Sequence, residues 1–509
     1  MKAITIGETA LTMEALVEVS REKSPVRLSE KALARAAGAR ALVEKWVMDG
    51  RAVYGVTTGF GALSDVTIPP EDARTLQENI LMSHAAGVGA PFPEEIVRAA
   101  MVLRLQDLAQ GYSGIRAQTL SALADLLNSG VCPVVPEKGS VGASGDLAPM
   151  AHLALVLIGQ GEADHRGRRM PGREALAAAG LQPVRLEAGE GLALINGTQV
   201  MTAVTALAVH DAVRLSRTAD VACALSLEVL MGTNAEFDGR IHRVRPHPGQ
   251  AAAADNMFRI VRDSAIISSH KDCSRIQDAY TLRCSPQIHG ASKDALGHVR
   301  QVVEIEMNAS TTNPLIFADT GDFLLGGNFH GQPVALAADY LCMALAELAS
   351  VSERRIERLV NPQLSGLPAF LVEKSGLNSG FMIAQYTAAA LVSENKPLCH
   401  PASVDSIPTS ANKEDHVSMG TISARKARAV LENTENVLAI ELLCGCQALD
   451  LLTHGRPGVG TQQAYRAVRE KVPRLDRDRP LSPDIRAITE LIKSGEIIRR
   501  VEAAVGPLH

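Results

Sequence analysis

The stretch Gly139-Ser140-Val141-Gly142-Ala143-Ser144-Gly145-Asp146-Leu147-Ala148-Pro149 sets three glycines three residues apart and follows them with an acid and a helix-compatible proline. Glycines and a serine so arranged could cradle a phosphate or present a nucleophile. A dinucleotide fingerprint needs glycine where Val141 stands, and a phosphate loop needs a Gly-Lys-Ser/Thr run that is missing here. A nucleophile elbow needs a residue between serine and the next glycine, but Gly145 follows Ser144 directly. Spacing alone therefore favours a turn feeding a helix capped by Asp146.

Other segments carry groups able to act on a small molecule. Tyr54 opens the glycine-rich run Tyr54-Gly55-Val56-Thr57-Thr58-Gly59-Phe60-Gly61, where a tyrosine is either a packed aromatic or a proton acceptor. As an acceptor it needs a field favouring phenolate, because its ordinary pKa is about 10. Asn196, in Leu194-Ile195-Asn196-Gly197-Thr198, reads as a helix cap or a polar contact. In Gln277-Asp278-Ala279-Tyr280-Thr281-Leu282-Arg283, Gln277, Tyr280 and Arg283 recur every three residues. If this segment is helical or turn-like, they can share one side. Arg283 offers a planar fork for a carboxylate or a surface salt bridge.

The Gly-Ser-x-Gly-Ala-Ser-Gly-Asp-Leu-Ala-Pro string resembles the signature of the aromatic amino acid ammonia-lyase family, and the Tyr54, Asn196 and Gln277–Arg283 segments are similar to its other motifs along nearly the whole chain. The resemblance implies that Ala143-Ser144-Gly145 cyclises and dehydrates by itself to 4-methylideneimidazol-5-one, with no external cofactor. In that closure the Gly145 nitrogen attacks the Ala143 carbonyl and Ser144 then loses its hydroxyl; small residues with permissive dihedrals allow so tight a fold-back. Eliminating ammonia from an α-amino acid requires an electron sink that unmodified side chains lack. The resemblance further implies that Tyr54 takes the β-proton, Asn196 holds the electrophile's oxygen and the substrate, Tyr280 joins the catalytic groups, and Asp146 assists cyclisation. It also implies that Gln277 and Arg283 bind substrate, and that Phe329, in Gly326-Gly327-Asn328-Phe329-His330-Gly331, packs beside the electrophile.

Two positions bear on the substrate ring. His84, in Ser83-His84-Ala85-Ala86-Gly87-Val88-Gly89, matches a family position that faces the substrate side chain, yet relatives acting on tyrosine also carry His there. Glu414, in Ser410-Ala411-Asn412-Lys413-Glu414-Asp415-His416, discriminates better, since relatives acting on phenylalanine or tyrosine and the aminomutases generally have Gln. A carboxylate can accept an imidazole N–H, whereas beside a phenyl ring it would be a buried charge without a partner. The expected substrate is L-histidine, giving trans-urocanate. Alternatives are a tyrosine or phenylalanine ammonia-lyase, an aromatic 2,3-aminomutase, or a catalytically silent scaffold. Lys413 departs from the Gln common before this Glu, and an outward side chain is expected for it.

Long helices must position these groups. No proline falls between Pro183 and Pro246, Pro286 and Pro314, Pro333 and Pro362, or Pro408 and Pro457, and such stretches permit uninterrupted helices. Val334, Ala338, Leu341, Leu345 and Leu348 form one apolar stripe, with Pro333 suited to the first turn. The run from Glu353 to Arg358 is expected to continue that helix with a solvated face. Val97, Met101, Leu105 and Leu108 form a second stripe, opened by Glu94 and Glu95. Helical patterns recur over 465–472 and 485–501. The expected fold is mainly α, and the resemblance implies the fumarase and aspartase group. Residues 1–196 would form an N-terminal domain carrying the tripeptide and 197–509 a helical bundle, within a homotetramer.

The 509 residues hold 51 basic and 56 acidic side chains, a net charge of −5, which disfavours nucleic acid as a partner. Aromatic residues make up 3%, against a β-rich architecture. Leu147–Gly161, the longest apolar candidate, is too short to span a membrane and contains His152. No signal segment is visible, so a cytoplasmic location is expected, and the eight scattered cysteines read as reduced thiols. His152, His242, His247 and His400 lack metal-ligand spacing, so no metal is expected, and nothing marks Cys273 or Cys284 as a nucleophile.

Overall fold

Each proline-free stretch carries a long helix in the computed structural model, which describes residues 3–273, 275–453 and 455–509. These helices are Gln199–Val229, Ser285–Glu306, Gln332–Val360 and Gly420–Leu451. Pro286 and Pro333 each sit in a first turn, where the missing amide leaves no hydrogen bond unmade. The whole Val334–Leu348 stripe is buried. The architecture is mainly α, and among the described residues the sheets are short and two- or three-stranded. Helix Gln332–Val360 is long and apolar enough to cross a membrane by length and composition, but 67% of its apolar window is buried inside the fold. Leu147–Gly161 is thus not the strongest such stretch.

The charged run at the end of this helix continues it as expected but is solvated only in part, with Arg354 exposed. Arg355 is fully buried, and its guanidinium grips Glu441 in two parallel bonds of 2.5 and 2.9 Å. Glu353 is buried as well. Alternating charge is compatible with either outcome, and only the partner on a distant helix decides it. The final helical pattern is split in two, Ser482–Lys493 and Glu496–Val505, at Gly495 with φ +70°.

Two compact units emerge. One comprises the chain up to Leu207 with Arg300–Asp339 and Pro401–Arg425, and the other comprises Ala208–Val299, Tyr340–His400 and Lys426–His509. The first unit therefore runs past Asn196 and takes in two later segments. Within it, strand Val88–Pro91 pairs antiparallel with Pro136–Lys138, Val88 opposite Lys138. The loops that precede Val88 and follow Lys138 thus leave one ladder side by side, which brings the His84 segment to the 139–149 stretch. Helix Glu94–Leu108 is buried from Ile96 to Leu108, with Arg98, Arg104, Gln106 and Asp107 included.

In the second unit Glu228 is buried and accepts the Gly458 amide at 2.7 Å, while its Oε2 has no partner among the described residues. Burial pushes its carboxyl up to about 7 from 4.5. A raised folded-state value means that the folded protein holds the proton longer than the unfolded chain. This group's contribution is therefore intact below pH 4.5 and is lost as pH climbs through about 7. Glu228→Gln is expected to stabilise the protein by about 1–3 kcal/mol near pH 8 and to change little near pH 4. Melting curves at the two pH values check this.

Candidate active site

The 139–146 loop is bent sharply. Gly142 and Gly145 take φ values of +69° and +76°. A Cβ on Gly145 would lie 2.1 Å from the Gly197 carbonyl oxygen, and one on Gly142 2.1 Å from Ser418 Oγ. Only glycine fits either place. Gly145 bridges in parallel to Gly197: the Gly197 amide donates to the Ser144 carbonyl at 3.2 Å, and the Asp146 amide donates to the Gly197 carbonyl at 2.7 Å. The chain is thus folded back tightly around Ser144, with small residues where close approach demands them.

Asp146 precedes helix Leu147–Leu157 but makes no side-chain cap for it. Its carboxylate instead accepts from Ser140 Oγ at 2.9 Å, from the Met201 amide at 2.7 Å and from the Thr421 hydroxyl. Full burial pushes this carboxyl above its ordinary value, and the donors oppose that shift. The helix-cap reading of Asp146 is therefore replaced by a link between the loop and the first turn of Gln199–Val229. Asn196 likewise does not start that helix. It ends Glu190–Ile195, and its buried Oδ1 has no partner among the described residues.

Around Ser144 the first unit opens two cavities, of about 840 and 610 Å³, and both are lined by Tyr54, Ala143, Ser144, Asn196 and Glu414. His84 and Gly145 line the larger, and Phe329 and Lys413 the smaller. Tyr54 Oη accepts the Gly61 amide at 3.2 Å. Gly61, with φ +52°, is so close to the 410–414 segment that a Cβ there would lie 2.6 Å from Ser410 Oγ and 3.5 Å from Glu414 Oε1. Glu414 Oε2 is buried without a partner among the described residues. Lys413 is exposed and lines the smaller cavity beside Glu414.

The field at Tyr54 is the reverse of the phenolate-favouring one expected. Burial pushes the phenol up, the Gly61 amide opposes this, and the Glu414 carboxylate pushes it up further. His84 is moved down, chiefly by burial, and is therefore a neutral imidazole at neutral pH.

Gln277, Tyr280 and Arg283 belong to the second unit, and none is among the residues lining these cavities. Only Tyr280–Arg283 is helical, so Gln277 lies outside the turn that would align all three. Tyr280 is exposed, and the Arg283 guanidinium lies 4.8 Å from its ring centroid. Phe329 is half-buried at the cavity wall rather than in the core. His152 has a role that its apolar surroundings concealed: its Nε2 accepts the Gly87 amide at 3.1 Å, tying down the His84 segment. Among the described residues no cluster of His, Cys, Asp and Glu could hold a metal ion, and none of the eight cysteines forms a disulfide.

The model of the aromatic amino acid lyases matches residues 11–470. The chain is 56% identical over 505 residues to the histidine ammonia-lyase of Alkaliphilus oremlandii, covering 99% of each chain. Its structure superposes on crystalline histidine ammonia-lyase from Trypanosoma cruzi with a TM-score of 0.92 at 44% identity, covering 99% of this chain and 96% of that one. The tyrosine aminomutase of Streptomyces globisporus superposes with a TM-score of 0.95 at 38% identity over the whole of both chains. The mainly helical fold is thus the one shared by these ammonia-lyases and aminomutases, as the resemblance implied. With its glycine-clamped Ala-Ser-Gly loop and a match over nine-tenths of its length, the chain belongs to the aromatic amino acid lyase family.

Proposed function

We propose that this protein is a histidine ammonia-lyase, removing ammonia from L-histidine to give trans-urocanate, with Ala143-Ser144-Gly145 as the source of its electrophile. The observation that carries the substrate assignment is Glu414, whose Oε2 is buried without a partner on the wall shared by both cavities. A buried acceptor of this kind calls for a donor, and the imidazole N–H of histidine is one that phenylalanine lacks. The many relatives of the same name at 53–56% identity support the same reading.

Closed and dehydrated to 4-methylideneimidazol-5-one, the tripeptide supplies an electron-poor carbon that makes ammonia a feasible leaving group. The remaining groups orient the substrate and move one proton. Glu414 accepts the ring N–H, and neutral His84 faces the same ring from the larger cavity. Asn196 offers its unpartnered Oδ1 and its amide to the substrate and the loop oxygen. Phe329 offers an apolar face to the substrate in the smaller cavity, whose wall also includes Ser144.

Tyr54 accepts the β-proton. A substrate ammonium entering beside it opposes the effects of burial and of Glu414 and lowers the phenol's pKa towards the range in which it can act. Tyr54→Phe is expected to lower kcat by roughly 10²–10⁴ while the tripeptide still matures. Wild-type kcat in that variant would remove Tyr54 from the mechanism. Gln277, Tyr280 and Arg283 serve the substrate carboxylate across subunits of a cytoplasmic homotetramer, where Arg283 supplies the paired donors a carboxylate fits.

The test is the absorbance of urocanate formed from L-histidine, run beside L-tyrosine and L-phenylalanine. Turnover of histidine alone is expected. Inertness toward histidine with turnover of tyrosine would overturn the substrate assignment.

A further inference from the structure

Gly197 grips the reactive loop on both sides of Gly145: its amide donates to the Ser144 carbonyl and its carbonyl accepts the Asp146 amide. Gly197, at φ +146°, is itself walled in: a Cβ there would lie 2.4 Å from Thr311 Oγ1, 2.6 Å from Gln199 Oε1 and 2.8 Å from Arg104 Nη2. One of these walls is charged. Arg104, fully buried in helix Glu94–Leu108, donates through Nη2 to the Asn196 carbonyl at 2.6 Å and through Nη1 to Asp107 Oδ2 at 3.0 Å. Asp107 is tethered in turn by Gln199 Nε2 and Thr311 Oγ1, each at 3.0 Å, and by Ser310 Oγ at 3.1 Å. A buried ion pair adds little stability over well-packed apolar side chains of the same volume, so the geometry it imposes is its distinguishing effect.

We propose that Arg104, tethered by Asp107, is a positioning residue for closure of the tripeptide. It acts by fixing the Asn196 carbonyl and with it the adjoining Gly197, which clamps Ser144 and Asp146. This rests on the reading of Ala143-Ser144-Gly145 given above. In the closure a bond forms between the Gly145 nitrogen and the Ala143 carbonyl carbon. The Ala143 oxygen leaves as water with the amide hydrogens of Ser144 and Gly145. Ser144 then loses its hydroxyl and its Cα hydrogen as the second water. The first step needs Gly145 held against Ala143, and a guanidinium locked at both ends removes the freedom of the peptide that holds it there.

The test follows the intact mass of the full chain with time after a short induction, for the natural protein, Arg104→Lys and Asp107→Asn. Arg355→Lys serves as the control, since it disturbs an equally buried ion pair in the other compact unit. A lysine keeps the charge but cannot hold Asp107 and the Asn196 carbonyl in one planar fork. Arg104→Lys and Asp107→Asn are expected to lose the two waters on the order of tenfold more slowly than the natural chain. Arg355→Lys is expected to lower the melting temperature yet mature at the natural rate. A folded Arg104→Lys chain that matures at the natural rate would overturn the proposal, as would equal slowing in Arg355→Lys. If Arg104→Lys does not fold, Asp107→Asn decides by the same criterion. An active natural chain that keeps both waters would instead refute the reading of the tripeptide itself.

Discussion

Ser144→Ala is expected to lower turnover by roughly a thousandfold or more while leaving the protein folded. Alanine has no hydroxyl to lose, so the exocyclic methylidene cannot form, and no other side chain at the site offers a carbon electrophile. The fold has little reason to respond. Ser144 is only half-buried at a cavity wall, and no hydrogen bond from its hydroxyl to another described residue is seen. The backbone bonds that clamp the loop involve the Ser144 carbonyl, which alanine retains. Removing one hydroxyl from such a place shifts stability by no more than about 1 kcal/mol. Turnover and melting temperature measured together check this, and preserved turnover would eliminate the electrophile.

Glu414→Gln is expected to reduce kcat/KM for L-histidine by on the order of 10²–10⁴. The preference for histidine over tyrosine and phenylalanine should shrink with it. Glutamine keeps one acceptor oxygen but gives up the charge and turns an amide donor toward the ring, so one of the two faces of the contact becomes a mismatch. The effect belongs to substrate selection, so the tripeptide should lose its waters as before. Kinetics with the three amino acids check this, and an unchanged preference would show that the ring is read elsewhere.

The helices were legible because proline is intolerant of helix interiors and because apolar stripes have a period. Both signals located Gln332–Val360, and the stripe with its acidic opening located Glu94–Leu108. Polar residues that fold inward leave no such mark. Nothing in the spacing of Glu353 to Arg358 reveals that Arg355 meets Glu441, 86 residues on. The same blindness hid Arg104 and Asp107, which share a helix with the Val97–Leu108 stripe.

At the site, the glycines and the serine could be read as a special turn, but its clamp is a pairing of Gly145 with Gly197, and Asp146 reaches Thr421 across 275 residues. Local rules assigned helix caps to Asp146 and Asn196 because capping is the commonest fate of such residues at a helix start. Tertiary contacts gave the Asp146 carboxylate to Ser140 and the Met201 amide instead, and left Asn196 Oδ1 on the cavity wall without a partner among the described residues. For Tyr54 the missing quantity was environment: burial and Glu414 push its phenol up, and neither is visible in a glycine-rich string.

The most direct measurement is the intact mass of an active preparation compared with the mass of the unmodified chain. A chain lighter by two waters, with the whole deficit mapping to the peptide that contains Ala143, Ser144 and Gly145, is the expected result. Full activity in a chain of unmodified mass would contradict it, since the chemistry would then proceed without the electrophile on which it is argued to depend.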